Sequence, residues 1–207
     1  MRRLAVILLA WGGAWAAAAA PFSHKVHLGL DLQCATCHTA AAASTKASDN
    51  LLPAKTVCLR CHEDARIQIP APPQTRVAFF SHAQHLKMGN LAPTIAAAID
   101  KKTYLQPPGD IRRRLNTQNA CEACHRGLRE SDQVTPAAMP QMADCLVCHT
   151  EIDNPFSCEK CHAKNAALKP ASHVPSYLSD HTSGKLNLDK ASCVVCHGRN
   201  FRCLGCH

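Results

Sequence analysis

The sequence predicts a mainly α-helical and irregular fold, with short helices and coil wrapped around a core that the polypeptide does not itself supply and little or no sheet. Three observations lead there. The 207 residues include 14 Cys and 13 His. Large aliphatic residues are scarce once the N-terminal segment is set aside, and 13 prolines leave little room for long elements.

The scarcity is hidden by an overall hydrophobic content of 46%. Residues 1–20 read as a secretory signal, with Arg2 and Arg3 as the charged start, Leu4 to Trp15 as the apolar stretch and an alanine run as the cleavage region. The alternative is an uncleaved anchor, since the uncharged run from Leu4 to Ala20 reaches 17 residues. Its second half is Ala and Gly rather than Leu and Ile, so cleavage is expected. The remaining 187 residues hold 17 Leu, 6 Ile, 8 Val and 5 Phe, about 19%. So few large apolar side chains cannot offset the chain entropy lost on folding.

An exported chain with an even cysteine count suggests a disulfide scaffold, but the spacing argues otherwise. Every cysteine belongs to one of seven Cys-x-x-Cys-His motifs. These are Cys34, Cys37, His38; Cys58, Cys61, His62; Cys121, Cys124, His125; Cys145, Cys148, His149; Cys158, Cys161, His162; Cys193, Cys196, His197; and Cys203, Cys206, His207. This is the attachment sequence of c-type haem. Two thiols a turn apart add to the two vinyl groups on one porphyrin edge, and the following imidazole lies beneath the iron. Zinc sites use paired Cys-x-x-Cys half-sites and do not require His directly after the second Cys seven times. Redox-active Cys-x-x-Cys disulfides normally occur once per domain.

Six histidines lie outside the motifs: His24, His27, His82, His85, His173 and His181. Their number nearly matches the seven irons expected, which makes them candidates for the second axial ligand. Phe22-Ser23-His24-Lys25-Val26-His27 recurs as Phe80-Ser81-His82-Ala83-Gln84-His85. Three residues apart on a helix, the two imidazoles point about 60° from each other and must serve different irons. Each His pair is therefore a bracket for two porphyrins. His173 and His181 form a looser third pair.

With these motifs the sequence resembles the class III multihaem c-type cytochromes, small periplasmic proteins that commonly begin with Phe-x-His-x-x-His before their first Cys-x-x-Cys-His. The resemblance runs over most of the chain as a concatenation of short units. It implies that the first His of each bracket ligates a nearby haem and the second a haem later in the same unit.

Three units follow the signal: residues 21–70 with two motifs, 77–168 with three and 169–207 with two. Pro70-Ala71-Pro72-Pro73 is a stiff linker between the first two. In the long ligand-free stretch between His85 and Cys121, Thr94 to Asp100 has helix-forming character and Gln106 to Gly109 reads as a turn. Lys101, Lys102 and Arg112 to Arg114 read as a solvated basic face or as contacts to haem propionates, ahead of a partner-docking loop, and Ala40 to Ser48 as a flexible surface connection.

Six distal histidines for seven motifs leave one iron short, and the shortfall falls in the middle unit. Met142, with Met139 as second choice, is the candidate thioether ligand there. The expected function is electron transfer through seven covalent haems in the periplasm or at the cell exterior. The partners would be redox proteins or an extracellular acceptor, with association to a membrane complex or other cytochromes as a further option. An open seventh iron would instead permit a reductase of a small oxyanion, although no clear acid/base set surrounds such a site. The formal charge of +8 falls to +6 without Arg2 and Arg3, and haem propionates oppose it, so the basic chain gives no reason to expect nucleic acid. Intact mass of the exported protein should show loss of the leader and seven haem additions, and native focusing should give a band far less basic than pI 8.9.

Overall fold

A Cys-x-x-Cys-His segment closes a helical turn in which the His amide donates to the carbonyl of the first Cys. This bond recurs at 2.9 Å in His38, His125 and His162 and at 3.0 Å in His62 and His149. The turn sets the two cysteines on one side and delivers the histidine at its end. These turns, a few longer helices and connecting coil make up the chain in a computed structural model that describes residues 20–63, 67–69, 75–149, 158–170, 172–186 and 190–197. Residues 1–19 of the leader expected over 1–20, the proline linker at 70–73 and the last motif, Cys203, Cys206 and His207, lie outside the described residues.

The helices are short, as expected. In order they are α1 (His24–Leu28), α2 (Cys34–Cys37), α3 (Lys55–Cys58), α4 (His82–Lys87), α5 (Ala92–Asp100), α6 (Ile111–Arg114), α7 (Met142–Cys145), α8 (Tyr177–Thr182) and α9 (Lys190–His197). Among the described residues, strand is confined to a parallel pairing of two dipeptides, Ala20 with Ile67 and Pro21 with Gln68. No described helix is long and apolar enough to cross a membrane.

The ligand-free stretch supplies the small apolar core of the described chain. It contains the longest helix, α5, which starts with Pro93 in its first turn, where the missing amide costs nothing. Ala92, Ile95 and Ala96 of α5 pack with Tyr104, Leu115, Ala123 and Ala143. Four of these seven are alanines, and no large side chain is completely buried among the described residues. The core therefore ties the third and fourth motifs to α5 through small contacts rather than by a large buried volume.

One reading is revised and a second is refined. The Ala40–Ser48 tract is not a loose connection: Thr39–Ala43 forms a 3₁₀ turn against α4, and buried Ser44 accepts Ala83 N (2.9 Å) and Ser81 Oγ (3.3 Å) on its carbonyl. The basic stretch is solvent-facing but ion-paired, Arg112 with Asp100 at 2.8 Å and Arg114 with Asp110 at 2.7 Å and with Glu130. Gly127 permits that last arrangement, since at φ +80° a Cβ would lie 2.6 Å from Arg114 Nη1.

Ile95 is 3% exposed. Ile95→Ala is expected to cost about 2–5 kcal/mol, measured by denaturant unfolding of the haem-loaded protein.

Candidate haem-ligand sites

Each Phe-Ser-His-x-x-His repeat builds the same local object. Ser23 and Ser81 are the N-caps of α1 and α4, at φ −120°, ψ 117° and φ −124°, ψ 109°. Their hydroxyls accept the amides of Val26 and Gln84 at 3.2 Å. Their carbonyls accept Nδ1–H of the second histidine of each repeat, His27 and His85, at 2.8 Å. The phenylalanine stacks on that same ring, Phe22 on His27 at 4.6 Å and Phe80 on His85 at 4.4 Å, and meets the first histidine edge-on at 4.9 and 4.8 Å. The repeat is thus a cap, a ring clamp and a tautomer lock in six residues. The sequence reading found the repeat, but the work done by its Phe and Ser emerges only here.

The second feature is how the outlying histidines face the motif histidines. Ring centroids lie 6.2 Å apart for His24 and His38, 6.1 Å for His27 and His62, 6.4 Å for His82 and His125, 6.2 Å for His85 and His149, and 6.0 Å for His173 and His197. Direct stacking would bring the rings far closer. Metal–nitrogen bonds of about 2 Å on both sides of an ion place two imidazole centroids about 6 Å apart, so each pair fits an iron held between them. The first member of each bracket is nearly coplanar with its partner, at 7° and 15°, and His173 with His197 at 9°; the second members are twisted by 55° and 46°. Twist is the expected consequence of locking His27 and His85 by their own N-cap carbonyls.

Motif histidines are held in the same way. His38 Nδ1 lies 2.7 Å from Leu51 O, His125 Nδ1 3.2 Å from Ala138 O and His162 Nδ1 2.8 Å from Arg76 O. An Nδ1–H given to a carbonyl leaves Nε2 unprotonated for a metal. Burial, together with neighbouring imidazoles, holds His24, His82 and His125 below the usual histidine range, which keeps them neutral and able to ligate.

No two of the twelve described cysteines form a disulfide. The first and third motifs meet: Asn119 Nδ2 donates to Cys34 Sγ at 3.5 Å while Asn119 Oδ1 accepts Cys121 N at 2.9 Å. A hydrogen bond from Cys121 pushes the Cys34 thiol down to about 6, and the same contact pushes Cys121 up. Burial pushes Cys145 up to about 11. This contact joins motifs from two different expected units.

The family model for outer membrane cytochromes, MtrC/MtrF-like, domains II/IV, matches residues 30–207. The chain belongs to this family. It is therefore a multihaem c-type cytochrome, as the resemblance to the class III proteins implied at the coarser level, and an electron-transfer protein of the MtrC/MtrF-like kind. The outer-membrane family points to the extracellular or periplasmic side of the cell. No curated protein and no solved structure matches the chain.

Five of the six outlying histidines are now paired, each with a different motif. His181 stacks on Tyr177 at 5.7 Å, and Tyr177 also lies 5.8 Å from His173, so this tyrosine stands between the third His pair where Phe stands in the brackets. Met142 begins α7 and is 38% exposed, and the carbonyl of Met139 accepts Gln141 Nε2 at 3.2 Å. His82→Ala is expected to leave haem number unchanged while giving a high-spin ferric signal and carbon monoxide binding on reduction, read by electron paramagnetic resonance and difference spectra.

Proposed function

We propose that this MtrC/MtrF-like chain is an electron conduit with seven covalently attached haems, six of them held by two imidazoles. The observation that carries this reading is the set of five His–His pairs at 6.0–6.4 Å, each joining one outlying histidine to one motif histidine. Bound haem supplies a one-electron iron couple. The chain supplies the rest. Cys34 and Cys37, Cys58 and Cys61, Cys121 and Cys124, Cys145 and Cys148, Cys158 and Cys161, Cys193 and Cys196, and Cys203 and Cys206 anchor the porphyrin edges. His24 and His27 serve the first and second motifs, His82 and His85 the third and fourth, and His173 the sixth. Two imidazoles per iron close both faces to exogenous ligands, which favours a carrier over a reductase.

Beyond these five pairs stand the proximal histidines His162 and His207 and the outlying histidine His181. In both earlier brackets the later histidine serves the later motif of its own unit, and by that rule His181 belongs with His207. The odd iron is then the one at His162, in the middle unit, with Met142 as its candidate thioether ligand. An exchangeable site at this same iron is the basis of the reductase alternative.

The three expected units, 21–70, 77–168 and 169–207, each bring their own distal histidines, which supports assembly by concatenation. The outer membrane cytochrome family supports a location in the periplasm or outside the cell, to which a cleaved leader at residues 1–20 would direct the chain, with redox proteins, an extracellular acceptor or a membrane-associated complex as its partners.

Two spectra test the reading. Absence of carbon monoxide binding, together with a near-infrared magnetic circular dichroism band for one His/Met iron, is the result expected for a carrier with Met142 ligated. Carbon monoxide uptake by one haem in seven would replace Met142 with an open site, and uptake by most haems would sink the conduit reading.

A further inference from the structure

The most buried charges among the described residues serve no ligand role. Arg126 and Asp144 have side chains only 3% exposed and form a two-pronged ion pair, Nη1 to Oδ1 at 3.1 Å and Nη2 to Oδ2 at 2.6 Å. Arg126 Nη1 also donates to Ala123 O at 2.7 Å. Asp144 accepts Tyr104 Oη at 2.9 Å and Gln141 N at 2.7 Å. Both carboxylate oxygens therefore have two donors, and a pair this well satisfied can persist away from water, where a lone charge could not.

Its place in the chain is informative. Arg126 directly follows His125, and its second bond ends on the 3₁₀ turn Ala120–Ala123 that carries Cys121. Asp144 directly precedes Cys145 and closes the capping box of α7. The pair thus spans from the third motif to the fourth, and Tyr104 binds it to the apolar core. A cation on one side and an anion on the other also make a fixed dipole in a poorly hydrated place, where charges are weakly screened.

We infer that Arg126 and Asp144 are positioning residues that lock the third haem motif to the fourth and polarise the junction, the guanidinium beside His125 raising the third haem's potential and the carboxylate beside Cys145 lowering the fourth's. This rests on reading both motifs as haem sites. A positive neighbour favours the reduced, less positive iron and a negative one the oxidised iron.

The test uses the full haem-loaded protein, with midpoints from a spectroelectrochemical titration and the third and fourth haems assigned by paramagnetic NMR. Arg126→Met is expected to lower the third haem's midpoint and Asp144→Asn to raise the fourth's. Each shift should be on the order of tenfold in the reduction equilibrium, about 59 mV for one electron. Arg126→Lys, which keeps the charge, should restore the third midpoint. Shifts of the same sign in the first two variants, or unmoved midpoints with seven haems present, would overturn the inference. Where a charge variant fails to load haem, Tyr104→Phe decides, because it keeps both charges and removes one donor from the carboxylate. The fourth midpoint should then fall, and an unchanged titration refutes the proposal. Peptide masses separate the two readings: no haem on Cys121–Cys124 or Cys145–Cys148 sinks the haem assignment, whereas haem present with unmoved midpoints sinks only the polarised clamp.

Discussion

The constraint on which the rest of this structure depends is that imidazoles from separate segments face each other in pairs with ring centroids 6.0–6.4 Å apart, a gap that fits one metal ion. A chain with few large apolar residues has little else to hold it together. Each ring has to arrive with the right nitrogen bare, and the molecule secures this with backbone carbonyls that take the opposite N–H. Ser23 and Ser81 contribute twice, through hydroxyls that start the helices and carbonyls that fix the second ring. Burial reinforces the arrangement, since a desolvated histidine stays neutral.

Because a bracket carries its two rings only three residues apart, a five- or six-residue helix is long enough to organise two sites. That is why α1 and α4 are so short and yet so heavily specified by cap, ring clamp and tautomer lock. Such helices are marginal in isolation, so their permanence comes from the motifs they face and from the 3₁₀ turn that α4 rests against. Polypeptide packing takes over only between His85 and Cys121, where α5 and Tyr104 make a small core of mostly alanine contacts. The buried Arg126–Asp144 pair adds to that core the directional bonds that small apolar side chains lack.

Much of the candidate site was legible in the sequence because covalent haem attachment demands five consecutive residues. Local spacing alone identifies the seven motifs, and the Phe-Ser-His-x-x-His repeat identifies two of the brackets. The absence of long elements followed from proline and aliphatic content. The order of the Ala40–Ser48 tract was missed because small residues carry no strong local preference, and its anchorage through buried Ser44 comes from α4, which lies far along the chain. Arg126 and Asp144 were passed over because a lone Arg and a lone Asp separated by 18 positions look like surface charge until both are seen buried.

The sequence by itself determined the type of cofactor, the seven Cys-x-x-Cys-His motifs and the six histidines outside them, because each of these is a matter of local chemical groups and their spacing. Tertiary structure decided which histidine faces which, that the first motif meets the third through Asn119, and that two buried charges join the third motif to the fourth. These are distances between segments tens of residues apart, and no local spacing rule encodes them. They follow from how the brackets, the small core and the ion pair are satisfied together.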